Sequence, residues 1–328
     1  MDLAKTDNLL NVFFKQYIKQ NSKEIFLNWL KFPEKNYSWE ETKVNIIKLA
    51  KELKKNLNKG ERCLLVSENR PEWLISDIAI MLAGGITVPS YITYTEKDYE
   101  FIIDDCEPTI IIVSNQILFN KLKGVIPKKK FIKKIVLFDE IKKNILSDQI
   151  IELKNILSST LNFDENNPII DLNRKDPACI IYTSGTGGNP KGVVLSHGGI
   201  LSNCEGAINL IKPILSNRTR FLTWLPLSHS YEHTVQFVQI SVGAKIYYAE
   251  GIDKLLKNMS ECKPEIMTAV PRFYQNLYQK INSNFKKQIG FKKKIINATI
   301  SLGNKKLNKD KLNFLQYLTN QICEILVR

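Results

Sequence analysis

Short apolar runs rich in β-branched residues alternate with segments of helical length along most of this 328-residue chain. Such runs, bounded by polar or turn-forming residues, are typical of buried strands. Strands that are separated by helices favour a layered α/β fold, because parallel strands need long crossover connections. The sequence therefore predicts mostly parallel sheets flanked by helices. The predicted strands are Cys63–Val66, Ile86–Val88, Thr109–Val113, Lys134–Phe138, Cys179–Tyr182, Val193–Leu195, Arg220–Trp224, Ala244–Tyr247 and Ile266–Val270.

Helix start and stop signals lie between several of these strands. Pro71 and Gly84 bracket one apolar segment, and proline suits the first turn of a helix whereas glycine ends one. Thr95 and Asp98 have the spacing of a capping box. The polar, poorly periodic stretch 139–167 predicts a surface insertion. The predicted helices are Glu72–Ala83, Glu96–Cys106 and Gly198–Ile211.

The formal net charge of +14 is concentrated in two stretches of the chain. Nine lysines lie within residues 121–143, and nine more lie within 281–311. Charge runs of this kind are most often solvated faces. Because the chain also lacks a recognisable reading helix or aromatic ribonucleoprotein motif, we expect no nucleic-acid partner.

Cysteine spacing and hydropathy restrict the compartment. The six cysteines are scattered without a CxxC pair, which indicates buried thiols in a reducing cytosol rather than a disulfide framework or a metal site. The longest uncharged run lies between Asp77 and Glu96, but Gly84, Gly85 and Pro89 interrupt it. That run predicts a helix, a turn and a strand rather than a membrane span. We therefore expect a cytoplasmic protein.

The most informative segment follows the predicted strand that ends at Tyr182. Its glycines allow the backbone to fold tightly and aim N–H groups at a phosphate, and its hydroxyls and Lys191 add further donors and positive charge. This combination suits a polyphosphate whose charge must be neutralised while it reacts. It is not a Walker A loop, because Gly192 follows Lys191 where serine or threonine would be needed. A solvated turn is the alternative, but so short a turn rarely needs all of these residues. The predicted phosphate-binding residues are Thr183, Ser184, Gly185, Thr186, Gly187, Gly188 and Lys191.

This segment resembles the phosphate loop of the adenylate-forming (AMP-binding) enzymes, which include acyl-CoA synthetases, luciferases and peptide-synthetase adenylation domains. The family pattern is approximately YTSGTTGxPKG, and the chain is similar to it from Tyr182 to Gly192. Gly187 stands where threonine is usual, which removes one hydroxyl. The resemblance extends from about Tyr37 to Tyr278.

A second motif, Trp224–His233, resembles the family's acyl-pocket segment and looks most like that of long-chain fatty acyl-CoA synthetases. By this resemblance His229 lies beside the reacting carboxylate, with Tyr231 and Glu232 close by. His229 and His233 are four residues apart and could share a metal on a helix face, but no cysteine or carboxylate pattern completes a zinc site. An ordinary capping or core role stays open for both histidines and is favoured for His233.

The resemblance implies a two-step ligase reaction. A fatty-acid carboxylate attacks the α-phosphorus of ATP, which releases pyrophosphate and leaves an acyl-adenylate, and coenzyme A then displaces AMP. By the same resemblance the loop and Lys191 hold the β- and γ-phosphates, Mg²⁺ bridges phosphate oxygens, and His229 orients the carboxylate. The implied partners are fatty acid, ATP and coenzyme A, and the lysine-rich stretches add peripheral contact with an anionic membrane surface as an alternative to solvated faces.

The domain organisation also follows from the resemblance. Residues 1–328 correspond to a partial N-terminal domain, with a first sheet subdomain over about 1–175 and a phosphate-loop and acyl-pocket subdomain over about 176–328. The family's Tyr-Gly-x-Thr-Glu segment and C-terminal lid are not found before Arg328. We therefore expect a truncated chain that is inactive alone, or one whose missing half lies on another chain.

Two other functions stay open. An adenylation enzyme for another carboxylate (aryl, amino or short acyl) would share the fold, although the segment Trp224–His233 argues against it. A non-catalytic nucleotide- or acyl-binding protein would agree with the absence of the lid.

Overall fold

The computed structural model describes residues 3, 5, 7–141, 149–159, 172–183, 190–216, 218–308 and 316. Residues up to 268 belong to one compact unit, and those from 269 belong to a second. The first unit contains two sheets with helices packed on their faces, so the predicted α/β architecture with mostly parallel sheets is confirmed.

Strands and helices alternate along most of the described chain. The strands are β1 (Ile25–Trp29), β2 (Tyr37–Ser38), β3 (Arg62–Val66), β4 (Ile86–Ser90), β5 (Ile110–Val113), β6 (Lys134–Leu137), β7 (Ile150–Glu152), β8 (Pro177–Thr183), β9 (Lys191–Ser196), β10 (Arg220–Thr223), β11 (Lys245–Tyr248) and β12 (Ile266–Met267). The helices are α1 (Leu9–Lys19), α2 (Trp39–Lys54), α3 (Pro71–Leu82), α4 (Glu96–Cys106), α5 (Gln116–Leu122), α6 (Leu153–Ser158), α7 (His197–Ile211), α8 (Ser230–Ser241), α9 (Leu255–Cys262), α10 (Pro271–Lys286) and α11 (Gly290–Leu307).

The larger sheet has seven strands in the order β7-β6-β5-β3-β4-β8-β9. Neighbouring strands are parallel except for β8 and β9, which pair antiparallel as a hairpin. Leu64 of β3 lies opposite Val88 of β4 and Ile111 of β5. These central strands are buried on both faces, as continuous apolar strands in parallel sheets usually are.

The smaller sheet has five strands in the order β12-β10-β11-β1-β2. Its strand β1 comes from the beginning of the chain and pairs in parallel with β11, so that Leu27 lies opposite Ile246. The two sheets therefore interleave along the sequence. The predicted subdomain boundary near residue 175 stays a prediction, and it does not coincide with sheet membership.

Local sequence explains where the helices begin and end. Thr95 and Asp98 form the predicted capping box of α4, because each side chain accepts a hydrogen bond from the other residue's backbone N–H. Helix α3 begins with Pro71 and is followed by Gly84, which has a φ of +90° that suits glycine. At Gly85, an added Cβ would lie 2.5 Å from Cδ2 of Leu57, so this turn also needs the missing side chain.

Helices α3 and α8 are buried almost all round, as expected of helices enclosed in a large core. Side chains of both contribute to one apolar cluster that also contains residues of β1, β3, β8 and β11. A second cluster covers the other face of the larger sheet, where α4 and α5 pack. Successive residues of β3 supply the two clusters alternately, with Cys63 and Leu65 facing the first and Leu64 and Val66 facing the second.

The structure departs from the sequence predictions in three places. Strands β1 and β2 were not predicted, and the predicted strand that begins at Ile266 ends at Met267. The predicted surface insertion is wrong for part of 139–167, because β7 adds an edge strand to the larger sheet and Leu153 and Ile156 of α6 are buried in the first cluster. Residues 142–148 and 160–167 of that stretch lie outside the described residues.

Five of the six cysteines are buried and have free thiols, and Cys323 lies outside the described residues. Across the part of the chain that the structure describes, no helix is both long and apolar enough to cross a membrane. The second unit contains α10 and α11, and both helices have exposed apolar and lysine side chains, with more lysines on α11 than on α10.

Candidate functional site

The carboxyl ends of five strands open onto one cleft in the first unit. Residues 67–69 follow β3, residues 91–93 follow β4 and residues 249–251 follow β11, and all of them line it. Trp29 at the end of β1 and Trp224 after β10 line it as well. Ligands of open α/β sheets usually bind outside the carboxyl ends of the strands, where the sheet order leaves a crevice. The cleft, of about 330 Å³, is therefore the candidate substrate site.

The cleft has apolar walls with polar groups between them. Trp29, Tyr91 and Trp224 supply aromatic surface, whereas Glu68 and Glu250 supply carboxylates. Both carboxylates already have partners within the protein: Glu68 accepts hydrogen bonds from the Ser114 hydroxyl and Asn115, and Glu250 accepts one from Asn258 at 3.1 Å. The aromatic surface is therefore what this cleft offers most freely to a ligand.

Beside the cleft lies what we call the Arg70 cluster, which consists of Arg70, Glu68, Glu72 and Asp139. The Arg70 guanidinium donates to both oxygens of Glu72 (2.8 and 3.1 Å), to both oxygens of Asp139 (3.1 Å each) and to Glu68 (3.4 Å). All five of its N–H groups are thereby used. Its central carbon lies 4.3 Å from the centre of the Trp29 ring, which belongs to the other sheet. The cluster thus ties the two sheets together where they form the cleft.

Burial and charge act in opposite directions on Arg70. Its side chain is 1% exposed and Glu72 is 5% exposed, so both charges have left water. Burial alone would lower the pKa of Arg70, but the hydrogen bonds and charges of Glu72 and Asp139 raise it above the ordinary value. Sequence reasoning missed this cluster. The available signal was the position of Glu68–Glu72 directly after a predicted strand.

The predicted phosphate loop joins the strands of the β8–β9 hairpin. Thr183 ends β8 and lies opposite Lys191, which begins β9, and both side chains are exposed. Because β8 is parallel to β4, this open end of the hairpin is at the same sheet edge as residues 91–93 of the cleft. The remaining predicted phosphate-binding residues, Ser184, Gly185, Thr186, Gly187 and Gly188, lie outside the described residues.

Tyr182 and Gly192 fix the hairpin just before the loop. The buried Tyr182 hydroxyl donates a hydrogen bond to the carboxylate of Asp105 on α4. Burial is the main reason why the pKa of Tyr182 lies above its ordinary value, and the bond to the Asp105 carboxylate raises it further. A Cβ added at Gly192 would lie 2.9 Å from Cγ2 of Ile180 and 3.2 Å from Cζ of Tyr182. Glycine at this position therefore allows the two strands to pack over the tyrosine ring.

His229 caps the amino end of α8 and is exposed. Its Nδ1 accepts a hydrogen bond from the backbone N–H of Tyr231 at 3.2 Å. A neutral imidazole that accepts at Nδ1 carries its proton on Nε2, which leaves an N–H donor on an exposed ring. Tyr231 is also exposed, at 50%. Both residues are therefore accessible to a ligand, and Ser228 directly before His229 lines the cleft.

Glu232 lies in a different environment from its two neighbours in the motif. It is 1% exposed, and the Thr268 hydroxyl donates to its Oε2 at 2.6 Å. Burial raises the pKa of Glu232 to about 8, and the hydrogen bond from Thr268 lowers it only in part. The structure thus places this carboxyl group in the protein interior, where it holds the residue after β12.

The two other histidines are buried. His233 Nε2 lies 2.9 Å from Oδ2 of Asp77, and this core location agrees with the interpretation favoured for it from sequence. His197 accepts a weak hydrogen bond at Nδ1 from the backbone N–H of Leu9 (3.4 Å), and burial lowers its pKa to about 4. Among the described residues, no group of three or more histidine, cysteine, aspartate or glutamate side chains is arranged to hold a metal ion.

Comparison with known proteins adds relatives of similar sequence. A sequence model described as AMP-binding enzyme matches residues 14–326. Long chain acyl-CoA synthetase 3 of Arabidopsis thaliana is 29% identical over 277 residues, which are 80% of this chain and 41% of that protein. Fatty acyl-CoA synthetase A of Dictyostelium discoideum is 31% identical over 232 residues, which are 69% of this chain and 34% of that protein. The chain thus spans less than half the length of these relatives.

Solved structures with the same fold include ligand-bound enzymes. Anthranilate CoA ligase AuaEII in complex with anthranoyl-AMP superposes with a TM-score of 0.73 at 20% identity, covering 83% of this chain and 51% of that one. ATP-bound MatB from Rhodopseudomonas palustris gives a TM-score of 0.67 at 23% identity, with the same shares of the two chains. The inhibitor-bound N-terminal domain of FACL13 from Mycobacterium tuberculosis gives 0.69 at 19% identity, over 83% of this chain and 65% of that one. At these identities the likeness shows the fold.

Proposed function

Because the chain belongs to the AMP-binding enzyme family, we propose that it takes part in the ATP-dependent activation of a long-chain fatty acid. In this reaction the carboxylate displaces pyrophosphate from ATP, supplied as its Mg²⁺ complex, and the thiol of coenzyme A then displaces AMP from the acyl-adenylate to form the thioester. Relatives named as acyl-CoA synthetases support this reaction class. The proposed first step needs little acid–base catalysis, so it depends mainly on positioning of the reactants and neutralisation of the phosphate charge.

The observation that carries the proposal is the open end of the β8–β9 hairpin. Thr183 and Lys191 are exposed there, at the sheet edge that also forms the cleft. An ammonium group at this position neutralises phosphate charge, and the hydroxyl of Thr183 donates a hydrogen bond to a phosphate oxygen. We propose that residues 184–188 complete the grip on the β- and γ-phosphates.

Calorimetric titration with Mg²⁺–ATP tests this part of the proposal. Replacement Lys191→Ala is expected to weaken binding about 10- to 100-fold, as loss of a charged hydrogen bond of about 1.5–3 kcal/mol does. Lys175→Ala is the matched control, because Lys175 is also an exposed lysine and lies two residues before the opposite end of β8. Equal affinities of the two variants would contradict phosphate binding at Lys191.

We propose that His229 donates its Nε2–H to the carboxylate of the fatty acid. The ring is exposed, and its acceptor Nδ1 is occupied by the N–H of Tyr231, so the free nitrogen is a donor. Tyr231 is accessible beside it and is proposed to contact the same substrate. Glu232 was also predicted as a substrate residue, and its burial supports an indirect role in which it holds Thr268.

The aromatic walls of the cleft support an alkyl substrate. Each methylene group removed from water gains about 0.8 kcal/mol, so affinity is expected to rise about fourfold per methylene until the apolar surface is filled. Tryptophan fluorescence reports this binding directly, since Trp29 and Trp224 line the cleft. A panel of saturated fatty acids, with anthranilate as the aryl comparison, distinguishes the proposed substrate class from another carboxylate. Tighter binding of anthranilate than of every fatty acid would contradict a long-chain substrate.

Contact with an anionic membrane surface is a further proposal for the second unit. Phe291 is 77% exposed on α11, and Lys292, Lys293 and Lys294 follow it directly. Apolar and cationic side chains together favour a negatively charged bilayer surface. Sedimentation with liposomes with and without anionic lipid tests this proposal, with the three lysines replaced by glutamine. The control variant replaces Lys128, Lys130 and Lys133 in the first unit, and equal loss of binding in both variants would indicate a general charge effect.

A further inference from the structure

Helices α3 and α8 both start at the cleft but follow strands of different sheets. Helix α3 comes after β3 of the larger sheet, and α8 comes after β10 of the smaller one. The segments that precede them, residues 67–69 and 224–228, supply lining residues of the cleft. The position of His229 at the start of α8 therefore depends on how these two helices are held to each other.

Asn69 provides the first link between them. Its side-chain nitrogen Nδ2 donates to the carbonyl oxygen of Leu225 at 2.7 Å, and its Oδ1 accepts from the backbone N–H of Leu227 at 3.1 Å. One side-chain amide thus makes two hydrogen bonds to the backbone of the segment that leads to His229, as a paired backbone strand would do. Backbone groups paired in this way fix the course of a loop, because leaving a backbone donor or acceptor unpaired inside the protein is costly.

Asp77 and His233 provide the second link, within the two helices. The 2.9 Å contact between His233 Nε2 and Asp77 Oδ2 lies between side chains that are 1% and 0% exposed. The ring of Trp73 meets the histidine ring edge to face, with 5.3 Å between the centres. Burial alone would lower the pKa of His233, but the charge of Asp77, assisted by the neighbouring Cys179, raises it to about 10. A hydrogen-bonded and fully enclosed pair holds its two helices in one arrangement, and separating it would leave buried polar groups without partners.

The backbone of α8 connects this second link to His229. His233 lies one turn after His229, and its N–H donates to the carbonyl oxygen of His229 at 3.0 Å. The Nδ1 of His229 accepts from Tyr231 within the same first turn. A shift of the first turn of α8 would therefore alter the capping hydrogen bond, and with it the ring nitrogen that carries the proton.

We propose that Asn69, Asp77 and His233 are positioning residues that hold the start of α8 so that His229 keeps Nδ1 as acceptor and Nε2–H as donor. The inference rests on the proposed function for the use made of that donor. Asp77 and His233 do not line the cleft, whereas Asn69 lines it but has its side-chain amide bound to the backbone of Leu225 and Leu227. All three act through the backbone on each side of His229, from the preceding loop and from the following turn.

Nitrogen-15 NMR of labelled histidine tests this proposal on the full chain without any substrate. The chain has three histidines, so their ring signals are few and can be assigned by single replacements. In the native chain, the neutral form of His229 is expected to carry its proton on Nε2. In Asp77→Asn, the Nδ1–H tautomer of His229 is expected to increase about fivefold, the change that loss of one ordinary hydrogen bond gives.

Two further variants make the result decisive. Ser76→Ala is the matched control, because Ser76 is buried on the same helix next to Asp77 and its hydroxyl has no partner among the described residues. This variant is expected to leave the His229 signals unchanged. Asn69→Ala removes the first link without leaving a buried charge, and it decides the question if Asp77→Asn does not fold.

A native chain in which neutral His229 carries its proton on Nδ1 would overturn the proposal. An unchanged His229 tautomer in both Asn69→Ala and Asp77→Asn would do so as well, or in Asn69→Ala alone if the other variant does not fold. Failure of the proposed function is detected separately, since it would appear as absent binding of fatty acid and Mg²⁺–ATP while these spectra remain as expected.

Discussion

The Arg70 cluster allows a stability prediction whose size follows from the geometry. In Arg70→Lys the charge is kept, but five N–H donors become three, so at least two of the five hydrogen bonds are lost. The bidentate pair with Glu72 matters most, because this carboxylate is 5% exposed whereas Glu68 and Asp139 are about one-third exposed. We expect a decrease of about 2–4 kcal/mol in the free energy of unfolding, from charged hydrogen bonds of about 1.5–3 kcal/mol each and incomplete compensation of Glu72.

Removal of the charge tests the same reasoning more severely. Arg70→Leu is expected to cost about 3–5 kcal/mol, because it leaves the buried Glu72 carboxylate without its cation. Adding Glu72→Gln to this variant removes the uncompensated charge and should recover part of the loss. If the double variant were less stable than Arg70→Leu, the buried charge would not be the source of the cost.

The assay is urea unfolding followed by tryptophan fluorescence, since all four tryptophans lie in the first unit. Arg220→Lys is the matched control. Arg220 also forms a bidentate pair, with Glu265 at 2.6 and 3.1 Å, but both side chains are more than one-third exposed. Water and salt screen such a pair, so its replacement should cost little. A loss in Arg70→Lys no larger than that in Arg220→Lys would refute the argument from burial.

Further substitutions test other features of the fold. Gly192→Ala is expected to destabilise the chain by about 1–3 kcal/mol through overpacking against Tyr182, whereas Gly206→Ala, on an open face of α7, should stabilise it by about 0.5–1 kcal/mol; equal effects in urea unfolding would contradict the packing argument. Because the pKa of Glu232 is raised to about 8 in the folded state, its contribution to stability is complete below the unfolded value near 4.5 and is lost as the pH rises through about 8. The free energy of unfolding should therefore fall by up to about 1.4 kcal/mol per pH unit across this interval, and Glu232→Gln should abolish that slope. Thr95→Ala removes the cap of α4 and is expected to lower the free energy of unfolding by about 0.5–2 kcal/mol. Thr95→Ser keeps a hydroxyl that can cap the helix, so it should lose little stability in the same assay.

Most strands of the fold could be predicted because their apolar runs are continuous. Strands β3 and β5 are buried on both faces, so the sequence Arg62–Val66 and the run Ile110–Val113 carry an unambiguous signal. Strand β1 was not predicted, because Asn28 interrupts its apolar pattern. The Asn28 side chain is accommodated through a hydrogen bond to the carbonyl oxygen of Ile246 in the neighbouring strand, a contact that only the tertiary fold provides.

The candidate site was predictable only where one short segment carries its own chemistry. The strand and turn from Tyr182 to Lys191 indicate phosphate binding from residue types alone, and His229 could be singled out from its motif. By contrast, the Arg70 cluster assembles residues that follow β3, one residue of α3 and Asp139 after β6, and it lies against Trp29 of the other sheet, which no sequence spacing reveals. For Glu232 the motif was recognisable but the environment was not: this polar residue lies in the interior and accepts a hydrogen bond from Thr268.

The position of β1 beside β11 has a consequence for how the chain is made. On the ribosome, Leu27 emerges early, but its partner strand follows only when Ile246 has been synthesised, which at about 5–20 residues per second delays the pairing by roughly 10–45 s. During that interval the larger sheet can assemble, since β3 to β9 are translated in between. Of its two neighbouring strands, β1 has only β2 available until then, so the edge of β1 that later pairs with β11 stays open while the larger sheet is completed.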